Sequence, residues 1–363
     1  MLGPKKIVLS MSIVLLVGLG GNYVYADSID QDRSISTNST NVESSLEKNV
    51  TQSSTKDSEV ADSPNTLSDI ENDNNIKYDS DKNPTKPATN KEAGSIKILY
   101  GKAIDEGKIN PKTYSFDAFK ENYLIGKNNY EELKDWFKDY SSYDEWFSQI
   151  MNYNAFPDGE GHSPSESNRQ TRATKEQNAN RFKKDIRKGD IIIVNSGGFG
   201  HAAIATSDNY ILEMTGGASG PLFTNWVGWG ISDNNHQFSK HNWLWGIKEQ
   251  GFKKNSRMID SYLQIWRIPN KAMANKCASY ADKNFWNSSG KYVKNRHITY
   301  LLRSSTLTTN PNYCSKMVFQ AYWNGSGNAP VMQGYASGLT FIAPNALPNL
   351  FTASYRPYKV GTY

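Results

Sequence analysis

Short apolar runs in the second half of the chain predict a sheet of short strands. Ile191–Val194 is continuously apolar, as in a strand that is buried on both faces. His201–Ala205 and Asn209–Met214 are two further short runs on either side of a Thr-Ser-Asp turn, which is typical of a hairpin. Alternating apolar and polar positions over Tyr262–Ile268, ended by Pro269, predict a fourth strand.

Two later segments have the three- and four-residue spacing of helices that bury one face. The first covers Lys271–Trp286 and includes Cys277 in its apolar stripe. The second begins at Cys314, after the turn-forming residues Asn310–Asn312. Its apolar stripe consists of Met317, Val318, Ala321 and Tyr322. Separate runs of strands and helices predict an α+β domain over residues 181–363.

The preceding residues divide into a helical part and a polar part. Between Ile96 and Tyr153, aromatic and aliphatic residues recur in three helical stripes, which predict a small helical subdomain over residues 94–155. Residues 156–180 are polar and contain several Pro and Gly residues, which is typical of a linker.

The first 26 residues have the pattern of a secretory signal peptide. Lys5 and Lys6 precede an apolar run from Ile7 to Leu19, and a small-residue cleavage site ends at Ala26. The alternative is a retained membrane anchor, but the run is too short to span a bilayer comfortably. We therefore expect an exported protein, secreted or associated with the cell wall, without a transmembrane helix in the mature chain.

Residues 27–93 are rich in Ser, Thr, Asn and Asp, which predicts a disordered acidic spacer. The chain carries a formal charge of +5, to which residues 1–26 contribute +2 and residues 27–90 contribute −7. Residues from Ala93 onward therefore carry +10, which favours an anionic environment such as a cell wall or a membrane surface. No nucleic-acid-binding motif accompanies this charge, so we expect no nucleic-acid partner.

Cys314 is the candidate nucleophile. In the first turn of a helix, unpaired N–H groups and the helix dipole favour an anion. A thiol in that position ionises more easily, and the thiolate is the reactive form. The alternative is a small core residue, because free cysteine is among the most buried residue types. Position alone leaves both interpretations open.

A cysteine nucleophile needs a base within hydrogen-bond distance and a third group that orients the base. His201 begins the second strand and Glu213 lies at the end of the third. If residues 206–208 form a loop of odd length, His201 faces Glu213 on the same side of the sheet. With a two-residue loop, Glu213 points away.

Three further groups of residues need an interpretation: the second cysteine, a pair of histidines and a set of tryptophans. Packing is the simplest role for Cys277, but in an exported protein it could also form a disulfide with Cys314, which would remove the nucleophile.

His236 and His241 lie five residues apart without a third ligand in a metal-binding spacing, so we expect no zinc and no other cofactor. For four tryptophans within residues 221–248 the pattern slightly favours a structural role as the core of an inserted hairpin. The alternatives are that they stack on sugar rings or line a groove. The four tryptophans are Trp226, Trp229, Trp243 and Trp245.

The segments KGDIIIV, GHAAIA and YILEM, followed much later by YCSKMVFQAYW, resemble the circularly permuted, YiiX-like branch of the NlpC-type papain-like cysteine peptidases. In that branch the histidine strand precedes the cysteine helix. The resemblance covers about residues 188–351. It implies a permuted papain-like domain in which a small antiparallel sheet packs against the cysteine helix. It also implies Cys314 as nucleophile, His201 as base and Glu213 as the group that orients the base.

The function that follows is acyl transfer through a cysteine. We expect a secreted thiol hydrolase that cleaves an amide bond, with a cell-wall peptide as its substrate. One alternative on the same fold is a lipid or ester acyl hydrolase or acyltransferase, with another acyl substrate. A second alternative is a non-catalytic cell-wall-binding protein whose Trp-rich stretch holds glycan. The sequence predicts no particular oligomeric state.

Overall fold

The computed structural model describes residues 88–135, 142–163, 165, 172–195, 198–217, 225–249, 252–254 and 257–363. The predicted signal peptide and nearly all of the predicted spacer lie outside these residues. The predicted spacer ends at residue 93, but helix α1 already begins at Asn90. The reason is a cap, because the Thr89 hydroxyl accepts a hydrogen bond from the Glu92 N–H in the first turn.

The N-terminal part is helical. It contains α1 (Asn90–Asp105), α2 (Phe116–Leu133) and α3 (Tyr143–Glu145), and α3 continues into a π-helical turn (Trp146–Ile150) and a 3₁₀ turn (Asn152–Asn154).

Helix α4 (Arg172–Asp185) lies where residues 156–180 are predicted to be a linker, so residues 172–180 correct that prediction. The helix buries Ala179 and Phe182, and Ile186 is buried just beyond its end. Its remaining residues are mostly polar. Because its buried stripe is so narrow, this helix is mostly polar, and a mostly polar composition is also typical of a linker. The polar composition therefore gave the wrong prediction here.

The sheet has six strands in the order β4-β3-β2-β1-β7-β8, and every neighbouring pair is antiparallel. The strands are β1 (Ile191–Asn195), β2 (His201–Ala205), β3 (Tyr210–Met214), β4 (Asn235–Ser239), β7 (Tyr262–Arg267) and β8 (Tyr358–Thr362). Helix α5 (Lys240–Trp245) and a separate hairpin of β5 (Ile247–Glu249) and β6 (Phe252–Lys254) lie between β4 and β7 in the sequence.

Helices α6 (Lys271–Phe285) and α7 (Cys314–Gly325) pack against each other, and α7 also packs against β2 and β3. The predicted α+β class is therefore confirmed, as is the packing of the sheet against the cysteine helix. Shorter turns complete the chain: a π-helical turn at Asn225–Trp229 and 3₁₀ turns at Met258–Asp260, Gly334–Gly338, Pro344–Leu350 and Ala353–Tyr355.

The hydrophobic core lies on both faces of the sheet, because successive residues of a strand point to opposite faces. Ile191 and Ile193 face α6 and α7, whereas Ile192 faces α4 and α5. Phe119 and Phe147 of the N-terminal helices belong to the same core as α7. The helices predicted as a separate subdomain therefore share a core with the domain that follows them, within one unit over Leu67–Tyr363.

Candidate active site

Cys314 is the first residue of α7 and is almost completely buried. The neighbouring Tyr313 holds this end of the helix in place. Its ring stacks on Phe341, and its hydroxyl accepts a hydrogen bond of 2.9 Å from the Ile342 N–H. The predicted position of Cys314 at the start of a helix is thus present in the structure. Both cysteines are free thiols, which excludes the disulfide alternative.

The β2–β3 hairpin brings His201 and Glu213 together. Thr206 N–H donates to the Tyr210 carbonyl, which closes an odd-numbered loop over residues 207–209 rather than 206–208. The register, with Ile204 opposite Leu212, places Glu213 level with Ala203 and diagonal to His201. Both side chains still lie on one face, and His201 Nε2 is 2.8 Å from Glu213 Oε2. The loop has an odd number of residues, as predicted, but Glu213 pairs two residues away from the predicted partner His201.

Glu213 is fully buried and has a second donor that sequence reasoning missed. Trp243 Nε1 donates to Glu213 Oε2 over 2.6 Å. Two donors on one oxygen offset part of the cost of burying a carboxylate. The indole comes from α5, about 30 residues further along the chain. The only sequence signal for it is the Trp-rich stretch, in which Trp243 is one of several candidates.

The electrostatics of the cluster favour a thiolate paired with an imidazolium. Burial alone lowers the pKa of His201, but hydrogen bonds with Cys314 and Glu213 outweigh it and raise that pKa to about 9. Burial likewise raises the pKa of Cys314, but the His201 hydrogen bond and charge, together with the N–H groups of Ala202 and Ser315, bring it below its usual value. His201 Nε2 is held by Glu213, which leaves Nδ1 as the ring nitrogen available to the thiol.

A narrow cleft opens at the sulfur. Its walls include Gly200, Thr215, Tyr300, Leu302 and Phe341, and it encloses about 20 Å³, room for roughly one water molecule. Gly200 has a φ of +66°, and a Cβ there would lie 3.2 Å from the Val194 carbonyl oxygen. Glycine at this position therefore keeps the backbone before His201 in a conformation that other residues rarely adopt.

The Trp-rich stretch does not form one exposed stacking surface in the part of the chain that the structure describes. Trp243 is buried in the core, Trp245 lies under Arg257, and Trp229 is 84% exposed. The side chain of Trp226 lies outside the described residues. Trp243 has the predicted structural role, but it packs between α4 and the sheet and does not form the core of an inserted hairpin.

The described residues contain no group of three or more His, Cys, Asp and Glu side chains arranged to hold a metal ion. His236 stands opposite Glu213 in the β3–β4 register, and His241 lies in α5. Among the described helices, none has both the length and the apolar composition needed to cross a membrane.

Comparison with known proteins identifies a family. The model of a family described as lipoprotein N-acylation protein LnsA-like matches residues 163–363, more than half of the chain. An uncharacterized 30.3 kDa protein of Bacillus thuringiensis is 36% identical over 182 residues. That alignment covers 49% of this chain and 58% of the relative, so the chain spans little more than half of the relative's length. No solved structure is significantly similar.

Proposed function

Because this chain belongs to the family of LnsA-like lipoprotein N-acylation proteins, we propose that it is a cysteine acyl-transfer enzyme. The observation that carries the proposal is the buried His201–Glu213 hydrogen bond at the cleft that Cys314 also lines. In this proposal Cys314 is the nucleophile, His201 is the general acid and base, and Glu213 orients His201. Trp243 holds the Glu213 carboxylate in place.

The first half of the reaction forms a thioester. The Cys314 thiolate attacks the carbonyl carbon of an acyl ester, and the resulting oxyanion is stabilised in part by the Cys314 backbone N–H at the start of α7. The bond between the carbonyl carbon and the leaving oxygen then breaks. His201 donates its proton to that oxygen, so the alcohol departs and the acyl group remains on sulfur.

The second half transfers the acyl group to an acceptor. The neutral His201 takes a proton from an amine or from water, and the nucleophile attacks the thioester carbonyl. The carbon–sulfur bond breaks, which regenerates the thiolate beside an imidazolium. Glu213 stabilises this imidazolium in both halves, because its buried carboxylate accepts a hydrogen bond from His201.

The family description supports a lipoprotein amine as the acyl acceptor, and we propose a lipid ester as the acyl donor, rather than the expected cell-wall peptide. The chain is proposed to act outside the cytoplasm, since its first 26 residues have the pattern of a signal peptide. The cell-wall peptide is the competing substrate, because the same thiol chemistry cleaves an amide.

Trapping of the acyl-enzyme tests the proposal. Purified protein is mixed with phosphatidylglycerol vesicles, and the Cys314 peptide is analysed by mass spectrometry with and without neutral hydroxylamine. We expect an added acyl mass that hydroxylamine removes, and N-acylation when a lipopeptide with a free amine is supplied. Cys314→Ala should give neither product, whereas Cys277→Ala should give both.

A parallel digestion of purified peptidoglycan separates the two substrate classes. Peptide release by the wild type and not by Cys314→Ala, without any thioester from lipid, would overturn the proposal in favour of a cell-wall peptidase. Thioester formation without peptide release supports it.

A further inference from the structure

A second and larger pocket adjoins the cleft at Cys314. It has a volume of about 380 Å³, within the usual range for small-molecule sites, whereas the cleft itself admits only a thin group. We call it the side pocket and define it by Arg303, Ser304, Ser305, Thr306, Ser337 and Thr340. Leu302 lines both the cleft and the side pocket, so the two share a wall.

The helix that begins with Cys314 supports the floor of the side pocket. Gln320 of α7 donates to the carbonyl oxygens of Thr306 (2.7 Å) and Thr308 (2.8 Å). The Thr306 hydroxyl in turn donates to the Ser337 carbonyl, which joins the two loops of the pocket. The pocket is therefore fixed relative to Cys314 by direct hydrogen bonds from the same helix.

A buried lysine lies beneath this floor. Lys316, two residues after Cys314, is fully buried, and its Nζ donates to Ser304 Oγ (2.5 Å), to the Ser305 carbonyl (2.8 Å) and to the Pro311 carbonyl (2.9 Å). All three acceptors are uncharged. Burial lowers the pKa of Lys316 to about 7. An anion in the adjoining pocket would favour the protonated form of Lys316, since a buried ammonium group without a counter-charge is costly.

The sequence around the side pocket is basic as well. Residues 283–363 contain eight Lys and Arg residues and no Asp or Glu. The loops of the side pocket and the whole of α7 belong to this segment. A pocket with an arginine at its wall and a buried lysine below it, without a carboxylate in its own segment, suits a phosphate group.

Three exposed apolar side chains lie within two residues of the side-pocket lining in the sequence, and they favour a lipid as the source of that phosphate. Trp229 is 84% exposed and follows the lining residue Val227 by two positions. Leu307 (56% exposed) follows Thr306, and Tyr335 (63% exposed) precedes Ser337 by two positions. Exposed tryptophan and tyrosine beside basic residues are typical of surfaces that contact the interface of a bilayer.

We propose that the side pocket binds the phosphate-bearing headgroup of a phospholipid acyl donor, with Arg303 as the residue that recognises the phosphate. The inference rests on the proposed acyl-transfer function and adds the class of its donor. Headgroup binding beside Leu302 places the acyl ester of the same lipid at the mouth of the narrow cleft that opens at Cys314. Arg303 is then a specificity residue and takes no part in the chemical steps.

The first test compares two acyl donors that differ only in the phosphate. Acylation of Cys314 is followed by intact mass in nonionic micelles that contain either phosphatidylglycerol or a diacylglycerol with the same acyl chains. We expect the wild type to react faster with the phospholipid. Arg303→Gln should slow that reaction about tenfold, the effect of losing one charge-assisted contact, and leave the diacylglycerol rate unchanged. Arg303→Glu should slow it further.

Arg356→Gln and Arg356→Glu are the matched controls. Arg356 is also an exposed arginine within residues 283–363, the segment without Asp or Glu, but it does not line the side pocket. Both control variants should keep the wild-type preference for the phospholipid. Because Arg303 is exposed as well, thermal unfolding should show the same midpoint for all four variants and the wild type.

The second test measures binding without catalysis. Calorimetry with glycerophosphoglycerol, the headgroup without acyl chains, should show binding to the wild type and to Arg356→Gln and no binding to Arg303→Gln. Equal affinity for inorganic phosphate would overturn the assignment to a lipid headgroup, and so would equal acylation rates from the two donors. If neither donor acylates Cys314, the proposed function fails, and headgroup binding alone then decides whether the side pocket is a phosphate site.

Discussion

Cys314 and Cys277 lie on two helices that pack against each other, and both are buried, yet their surroundings affect the thiol in opposite ways. Burial in the middle of α6 raises the pKa of Cys277 to about 12, with only a small opposing effect of Lys276. At the start of α7, His201 and two backbone N–H groups reverse the effect of burial on Cys314. Burial therefore does not determine the reactivity of a cysteine; the groups that face the sulfur do.

The largest effect is expected when each cysteine is replaced in turn. Cys314→Ala should lower acyl transfer by at least about 10⁴-fold, since removal of a nucleophile leaves only residual catalysis. Cys277→Ala should keep activity within about twofold and cost about 1 kcal/mol of unfolding free energy, because this cysteine only packs. Steady-state rates and urea unfolding measure the two effects. If both variants fold and lose activity to a comparable extent, the distinction between a reactive Cys314 and a packing Cys277 is wrong.

Alkylation measures the difference between the two thiols directly. At pH 7 iodoacetamide should label Cys314 at least about 10³ times faster than Cys277, because a thiol with a pKa near 12 has almost no thiolate at that pH. His201→Gln should bring the rate of Cys314 down towards that of Cys277. Mass spectrometry of the two peptides over time gives both rates, and equal labelling in the native protein would rule out an activated Cys314.

Glu213→Gln tests the group behind the histidine. The amide keeps the shape of the carboxylate but cannot stabilise an imidazolium, so acyl transfer should fall by roughly 10²- to 10³-fold. The wild type should lose activity above about pH 9, where His201 loses its proton. Because Glu213 raises the pKa of His201, this alkaline limit should move to lower pH in Glu213→Gln. An unchanged limit in the pH profile of acylation would show that Glu213 does not act through His201.

Trp243→Phe should have the smallest effect. Phenylalanine fills most of the indole's space but removes the N–H that donates to Glu213, and loss of one hydrogen bond to a charged group should slow acyl transfer about tenfold. Trp245→Phe is the control, because Trp245 lies on the same helix but packs under Arg257. The control variant should retain the wild-type rate. If both variants lose activity equally, α5 contributes packing rather than a specific contact.

Periodicity was sufficient to place the strands of the hairpin and the start of α7. Periodicity left the role of Cys314 and the direction of Glu213 open, and the family resemblance selected Cys314, His201 and Glu213 as one candidate site. The predicted cell-wall peptide substrate, which rests on the export signal and the basic charge, is less well supported than the alternative of a lipid or ester acyl substrate, because the matching family is described by lipoprotein N-acylation. A site built on regular elements is predictable to this extent, because side-chain direction follows from the period of each element.

The sequence by itself determined which residue types begin each strand and helix, and so which side chains stand at the ends of β2, β3 and α7. Only the tertiary structure decided that Trp243 meets Glu213, that the N-terminal helices share the core of α7, and that the loops around Arg303 and Ser337 enclose a side pocket. Local periods are set by neighbours three or four residues apart. These contacts instead join segments that are distant in sequence, and they form only when the whole core packs.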